Sequence, residues 1–281
     1  MDCALDDAGL QALLRDDAPY GDLTTVSLGI GAKPGRAVFY ARQPMRVCAT
    51  EEAARLFELA GARAEIKRGS GAFATAGTEL LHARGSAAAL HLAWKVAQTL
   101  TEYASGIATA AAAIVGALHE AGHATPVACT RKHFPGTKAV AVKAVQSGGA
   151  VMHRLGLSET LLVFPEHVAF LPGQEVADAL ADLARRCPEK KRVVEVNTVV
   201  DALAAARCGV EVLQLEKFGV AEVARCKAAL AEAGLTAQLA AAGGITADNA
   251  VAYAQAGADV LVTSAPFFSK PADVQVRIFP T

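Results

Sequence analysis

Between Cys129 and Leu157 the chain reads CTRKHFPGTKAVAVKAVQSGGAVMHRLGL, which gathers five cationic side chains and two histidines in a protein whose net charge is only -1. Arg131 and Lys132 follow the short apolar run Val127 and Ala128, and His153 and Arg154 follow Gly148 and Gly149. Both pairs fall where a buried parallel strand would end and a loop begin. Cationic pairs at the ends of neighbouring strands converge on one pocket. Such a pocket suits phosphate or carboxylate groups, because Arg engages both in bidentate fashion. The bland alternative for either pair alone is solvated surface charge.

Acids complement the cations further along. Glu195 lies in VVEV and Glu216 in VLQLE, one helix apart, so the two carboxylates could face one ligand from adjacent strands. Acids so placed hold sugar hydroxyls or a magnesium ion; either could instead be a surface acid at a strand end. In AAAGGITADN, Gly243 and Gly244 stand between a strand and a helix whose expected N-cap is Thr246 or Asp248. Backbone amides freed by glycine and aimed from a helix start make a phosphate cradle, and a plain tight turn is the competing reading. His119, Glu120 and His123 spell HExxH, the helical zinc signature. Gly122 precedes the second histidine and Thr125-Pro126 follows, so the helix is expected to end where the motif needs it intact.

These residues need elements to present them. From Pro126 onward, apolar runs at 127–129, 160–164, 193–196, 210–215, 238–242 and 260–263 alternate with helical stretches at 175–186, 199–206, 221–233 and 247–256. Repeated βα units with buried strands predict a parallel sheet closed or nearly closed into a barrel, with chemistry at the carboxyl ends of the strands. The preceding part has an α+β texture. Helices are expected at 5–14 and 51–60, a turn-rich segment at 16–25, and strands at 36–42, 62–67 and 78–83. The Ala-rich segment 86–121, interrupted near Ser105 and Gly106, reads as two helices.

The chain has 281 residues, of which 53% are hydrophobic and only 5% aromatic, enough for one barrel plus a smaller domain. Its Ala-rich runs look too short and too often charged to cross a bilayer, and the N-terminus MDCALDDAGL is acidic where a signal peptide would be basic. A soluble cytoplasmic protein is the expectation. Six scattered cysteines without a CxxC pair argue against a disulfide framework or a thiolate metal cluster. Balanced charge gives no sign of a nucleic-acid or membrane partner.

Taken together, GDLTT at 21–25, SGIAT at 105–109, TRKxxPG at 130–136, HRLGL at 153–157, the inner-strand Glu195, Glu216 and GGIT resemble the quinolinate phosphoribosyltransferase (nicotinate-nucleotide pyrophosphorylase) family almost end to end. The resemblance implies an N-terminal α/β sandwich, residues 1–104 with a tail of about 269–281 returning to it, and an open α/β barrel at 105–268. It implies a homodimer or higher homo-oligomer with shared active sites, which displaces pyrophosphate from phosphoribosyl pyrophosphate (PRPP) with the nitrogen of a small base. Arg131, His153 and Arg154 would face the base's carboxylates, Lys132 would hold anionic substrates, and Glu195 and Glu216 would face the ribose with Mg2+ nearby. Gly243, Gly244 and Ser264 would bind phosphate.

Departures narrow the resemblance. Lys95 stands where the family has an arginine, Phe164 where it has an active-site lysine, Glu216 for its aspartate, Ala242 for its serine before GG, and Ser264 for a glycine of its later phosphate loop. This pattern is similar to the ModD group, which is associated with molybdate transport. Transfer at ribose C1 passes through an oxocarbenium-like state, so it needs cations on the departing pyrophosphate and acids near the developing positive charge. The chain offers both and no clear nucleophile. A non-catalytic anion or metabolite binder that kept the fold is the alternative, favoured by Phe164 and opposed by the retained Arg131, Lys132, His153, Arg154 and Glu195.

Overall fold

Short β-branched and Leu/Ala runs become strands, and the longer Ala-rich stretches between them become helices, in a computed structural model that describes residues 2–171 and 176–281. In chain order the first elements are helices α1 (Asp7–Asp17) and α2 (Leu23–Ser27), strands β1 (Pro34–Ala41) and β2 (Met45–Arg46), helix α3 (Thr50–Leu59), strands β3 (Arg63–Ile66), β4 (Phe73–Ala74) and β5 (Glu79–Ser86), and helix α4 (Ala87–Glu120). There follow β6 (Val127–Cys129), α5 (Lys138–Ser147), β7 (Val151–Met152), β8 (Leu161–Val163), α6 (Pro165–Val168) and α7 (Val176–Arg186). The remainder is β9 (Arg192–Val196), α8 (Val199–Arg207), β10 (Val212–Glu216), α9 (Val220–Glu232), β11 (Gln238–Ala242), α10 (Ala250–Gln255), β12 (Val260–Thr263) and β13 (Val274–Pro280). The expected helix start at Glu175 lies outside the described residues.

One unit comprises the chain up to Ala112, His133–Gly149 and Pro266–Thr281. Its four-stranded antiparallel sheet runs β13-β1-β5-β3, so the C-terminal strand pairs with the first strand of the unit. The core beneath it packs Phe39 edge-on to Phe57, with ring centroids 5.8 Å apart, among Leu56, Leu80, Leu81 and Leu90. The expected break in α4 is absent. Its buried residues Leu90, Ala93, Ala97, Thr101, Ala104, Ala108 and Ala111 recur in steps of three and four, giving one continuous packed stripe. Gly106 serves close packing instead, since a Cβ there would lie 2.4 Å from the Lys270 carbonyl oxygen. Ser105 Oγ accepts from the Cys48 N–H at 2.9 Å, which satisfies a buried donor. By length and composition α4 does reach the measure of a membrane-crossing helix, with mean hydropathy 1.2 over its best window, contrary to the sequence reading. Alanine explains this: it raises hydropathy while being small enough to pack against a core.

Buried charge ties α5, which the sequence reading missed, to α3. Lys143 Nζ donates to Glu52 Oε2 at 2.7 Å and to Glu51 Oε2 at 3.0 Å, and Glu52 is fully buried. Ser70 adds a 2.8 Å backbone donation to Glu51.

The other unit comprises Ala113–Lys132 and Ala150–Ala265. Its seven strands run β7-β6-β12-β11-β10-β9-β8, with every neighbouring pair parallel. This is a barrel left open between β7 and β8. Parallel strands covered by crossover helices place their chemistry at the carboxyl edge.

Candidate active site

Strand register decides which side chains meet. Gln214 pairs with Glu195, Ala240 with Gln214, Ala242 with Glu216, and Val262 with Ala242 and Ala128. Because side chains alternate along a strand, one face of the sheet collects Glu195, Gln214, Glu216, Ala240, Ala242, Val262 and Ala128. Small residues on the central strands leave room, and a cavity of about 510 Å³ opens over them. It is lined by Arg131, Lys132, His153, Arg154, Phe164, Glu195, Glu216, Gly243, Gly244 and Ser264, so ten of the eleven expected site residues converge.

The cations enter from β6 and β7. The ladder continues past both strands, with the Thr130 N–H donating to the Thr263 carbonyl at 2.9 Å and the His153 N–H to the Cys129 carbonyl at 2.8 Å. Continued past the strands, that register sets Thr130 beside His153 and Arg131 beside Arg154 at the edge. Arg154 is only 6% exposed. Burial and the neighbouring Arg131 charge both press its pKa down, and burial with the Arg154 charge also presses the His153 imidazole down, keeping it neutral at physiological pH. Among the described residues Arg131, Lys132 and Arg154 have no ion-pair partner. Three cations lining one cavity, none in an ion pair among the described residues, make an anion site.

Phe164 forms the remaining part of that wall. Its ring lies 5.7 Å from the Arg154 Cζ and stacks on His167, with centroids 5.6 Å apart and planes at 19°. The Phe164 N–H donates to His167 Nδ1 at 2.9 Å, which puts the imidazole proton on Nε2. Pro165 begins α6 directly after Phe164 and fixes the exit of the chain.

The acids enter from β9 and β10. Burial raises the Glu195 pKa, the Glu216 charge raises it further, and a hydrogen bond from Gln214 opposes both. Two carboxylates lining one cavity from adjacent strands are suited to hydroxyls or a hard cation. Gln214 escaped the sequence reading, although a glutamine inside the apolar strand VLQLE was a visible signal.

Gly243 and Gly244 have φ of 92° and 75°. A Cβ on Gly243 would also lie 2.9 Å from Lys217 Cγ, so both conformation and space require glycine there. Asn249, rather than Thr246 or Asp248, caps the short α10, and its side chain braces the loop instead: Nδ2 donates to the Gly244 carbonyl at 2.9 Å and Oδ1 accepts from the Thr246 N–H at 2.8 Å. Lys95 belongs to the other unit. It lies over the Trp94 ring at 4.9 Å and lines a separate cleft with Asp17, Asp22 and His91. In the HExxH segment α4 stops at Glu120 and the His123 N–H closes onto the Leu118 carbonyl at 2.8 Å, so the two histidines do not share a helical face.

Known proteins share this architecture and sequence. The model of the quinolinate phosphoribosyl transferase C-terminal domain matches residues 107–277, and that of the N-terminal domain matches residues 22–105. The ModD protein of Rhodobacter capsulatus is 49% identical over 253 residues, covering 90% of this chain and 97% of its own. The carboxylating nicotinate-nucleotide pyrophosphorylase of Mycobacterium leprae is 31% identical over 273 residues, 94% of each chain. The solved structure of NadC from Streptococcus pyogenes superposes with a TM-score of 0.87 at 23% identity, covering 98% of this chain and 96% of that one, a likeness of fold.

Proposed function

The chain belongs to the quinolinate phosphoribosyl transferase family, and on that premise we propose that it transfers a phosphoribosyl group from PRPP to the ring nitrogen of a pyridine-carboxylate-like or related base. The carbon–oxygen bond from ribose C1 to pyrophosphate breaks, its electron pair leaves with pyrophosphate, and the nitrogen lone pair forms the new bond to C1. The observation that carries this reading is the division of charge within one cavity, with unpaired Arg131, Lys132 and Arg154 on one side and Glu195 and Glu216 on the other. The cations hold the carboxylate of the base and the phosphates, with neutral His153 as a hydrogen-bonding neighbour. The acids receive the ribose hydroxyls and stabilise positive charge developing at C1.

A glycine-built loop at Gly243 and Gly244, with Ser264 across from it, cradles phosphate. Mg2+ fits as a companion of PRPP, since two carboxylates plus substrate oxygens are the donor set a magnesium ion accepts. Glu195 and Glu216 would hold it, and it would neutralise pyrophosphate charge. A homodimer would bring Lys95 of one subunit to the cavity of the other, and we place the protein in the cytoplasm, where PRPP and free bases occur.

Calorimetry with PRPP and Mg2+, followed by a screen of pyridine and purine carboxylates for pyrophosphate release, tests the proposal. Magnesium-dependent binding is expected, and Lys132→Ala should weaken it at least about tenfold, the worth of one charge-assisted contact. No binding at millimolar ligand would refute the transferase reading. Binding with no pyrophosphate release from any base would favour a non-catalytic metabolite binder.

A further inference from the structure

We propose that Gln214 is a positioning and specificity residue of this cavity: its amide holds the Glu195 carboxylate toward the sugar hydroxyls and presents its own remaining polar groups to the same ring. The inference rests on the sugar-phosphate reading given above.

Three observations carry it. Gln214 Nε2 donates to Glu195 Oε2 at 2.7 Å, at the short end for a charge-assisted bond. The parallel register pairs these two residues directly, so the sheet itself sets the two side chains next to one another on one face. Gln214 is 6% exposed yet lines the cavity. In register with Gln214 the neighbouring strands carry Ala240 and Val260, so packing alone calls for an apolar side chain here. A buried amide is unfavourable unless its polar atoms are satisfied. Among the described residues only one N–H of Gln214 has a protein partner, which leaves the amide oxygen and the second N–H for a ligand.

Glu195 is faced by Glu216 from β10, by Glu166 from α6 and by Lys132 from the loop after β6. Among these charged neighbours the Gln214 amide is the donor that fixes one carboxylate oxygen of Glu195. Removing the donor therefore weakens sugar binding by misplacing Glu195.

The test uses the full chain with Gln214→Met, which keeps length and loses the amide, and Gln214→Glu, which keeps shape and sets a third acid beside Glu195. Circular dichroism establishes folding, and calorimetry at neutral pH compares PRPP with pyrophosphate, which lacks the sugar hydroxyls, each with Mg2+. The Met variant should bind PRPP about tenfold more weakly and pyrophosphate as wild type does, and the Glu variant should lose more on PRPP. A Met variant that binds PRPP as tightly as wild type, or one that loses PRPP and pyrophosphate alike, overturns the assignment. Should the Met variant not fold, the Glu variant is read in the same way. Wild-type protein that binds no PRPP overturns the transferase reading, and with it this one; wild-type binding with indifferent variants overturns only the role of Gln214.

Discussion

Replacing Phe164 by lysine is expected to turn the pocket toward dicarboxylate acceptors. The ring now lies 5.7 Å from the Arg154 Cζ and is stacked on His167. An ammonium at that place would sit roughly 6 Å from a guanidinium, and two like charges at that distance repel by about 3 kcal/mol at an effective dielectric of about 20. A ligand that brings a second carboxylate sits between the two cations, and its net gain is one charge-assisted contact of about 1.5 to 3 kcal/mol, the repulsion being avoided in the empty site when the lysine swings into solvent. The kcat/KM for quinolinate should therefore rise by about 10- to 100-fold over wild type, at about 1.4 kcal/mol per tenfold. Phe164→Leu separates charge from shape, since it keeps an apolar wall and loses about 0.5 to 2 kcal/mol of cation–π contact; it should not gain on quinolinate. Steady-state pyrophosphate release measures all three proteins. Efficient turnover of quinolinate by wild type, with no gain in the lysine variant, would refute the argument that the aromatic wall selects an acceptor of lower charge or larger apolar face.

Glu195→Gln should raise the melting temperature at neutral pH while lowering PRPP affinity. A carboxyl whose folded pKa is raised lends stability below its ordinary value and loses it as pH rises through the folded value, so the ionised group detracts at neutral pH and the advantage of the variant should vanish on acidification. Lys143→Met should lower stability by about 3 to 5 kcal/mol in denaturant titration, because Glu51 and Glu52 lose their buried cation; an unchanged midpoint would refute the weight given to this ion pair. Mixing inactive Lys95→Ala and Arg131→Ala proteins should restore partial activity through hybrid dimers, and a monomer at micromolar concentration in sedimentation would count against the shared site.

How much of this was legible depended on whether the relevant force was local. His153, Glu195 and Glu216 could be read because each lies at or next to the end of a short apolar run, and alternation along a strand then sends them to one face; Arg131, out of that phase, reaches the cavity from the loop after β6. Gln214 was written in the same alternation, two residues before Glu216, but attention to strand ends passed over a polar residue deeper in the barrel. Helix α5 was hidden for a different reason. Val140, Ala141, Lys143, Ala144, Val145 and Ser147 are all buried, so no single apolar stripe marks it, and its charged Lys143 is satisfied by α3, ninety-one and ninety-two residues away. Ser105-Gly106 looked like a break because glycine disfavours helix, whereas a tertiary contact with Lys270 requires the missing Cβ. The cap at Asn249 was missed because its side chain serves the glycine loop and does not cap the helix.

The arrangement also bears on how transfer proceeds. A covalent route would need a nucleophile activated by a neighbouring base. Cys129 is fully buried outside the lining of the cavity, and burial pushes its thiol up to about 12, so it remains a thiol. Thr263 Oγ1 is committed to the Ile245 carbonyl at 2.7 Å. Among the described residues no cavity hydroxyl is hydrogen-bonded to His153, the one imidazole lining the pocket, and burial beside Arg154 makes that ring a weaker base. Glu195 and Glu216 repel one another, which favours stabilisation of positive charge at C1 over commitment of either oxygen to a bond. The parts therefore suit direct displacement by the acceptor nitrogen, in which the protein contributes position and field, with cations at the departing and acceptor anions and acids at the sugar between them.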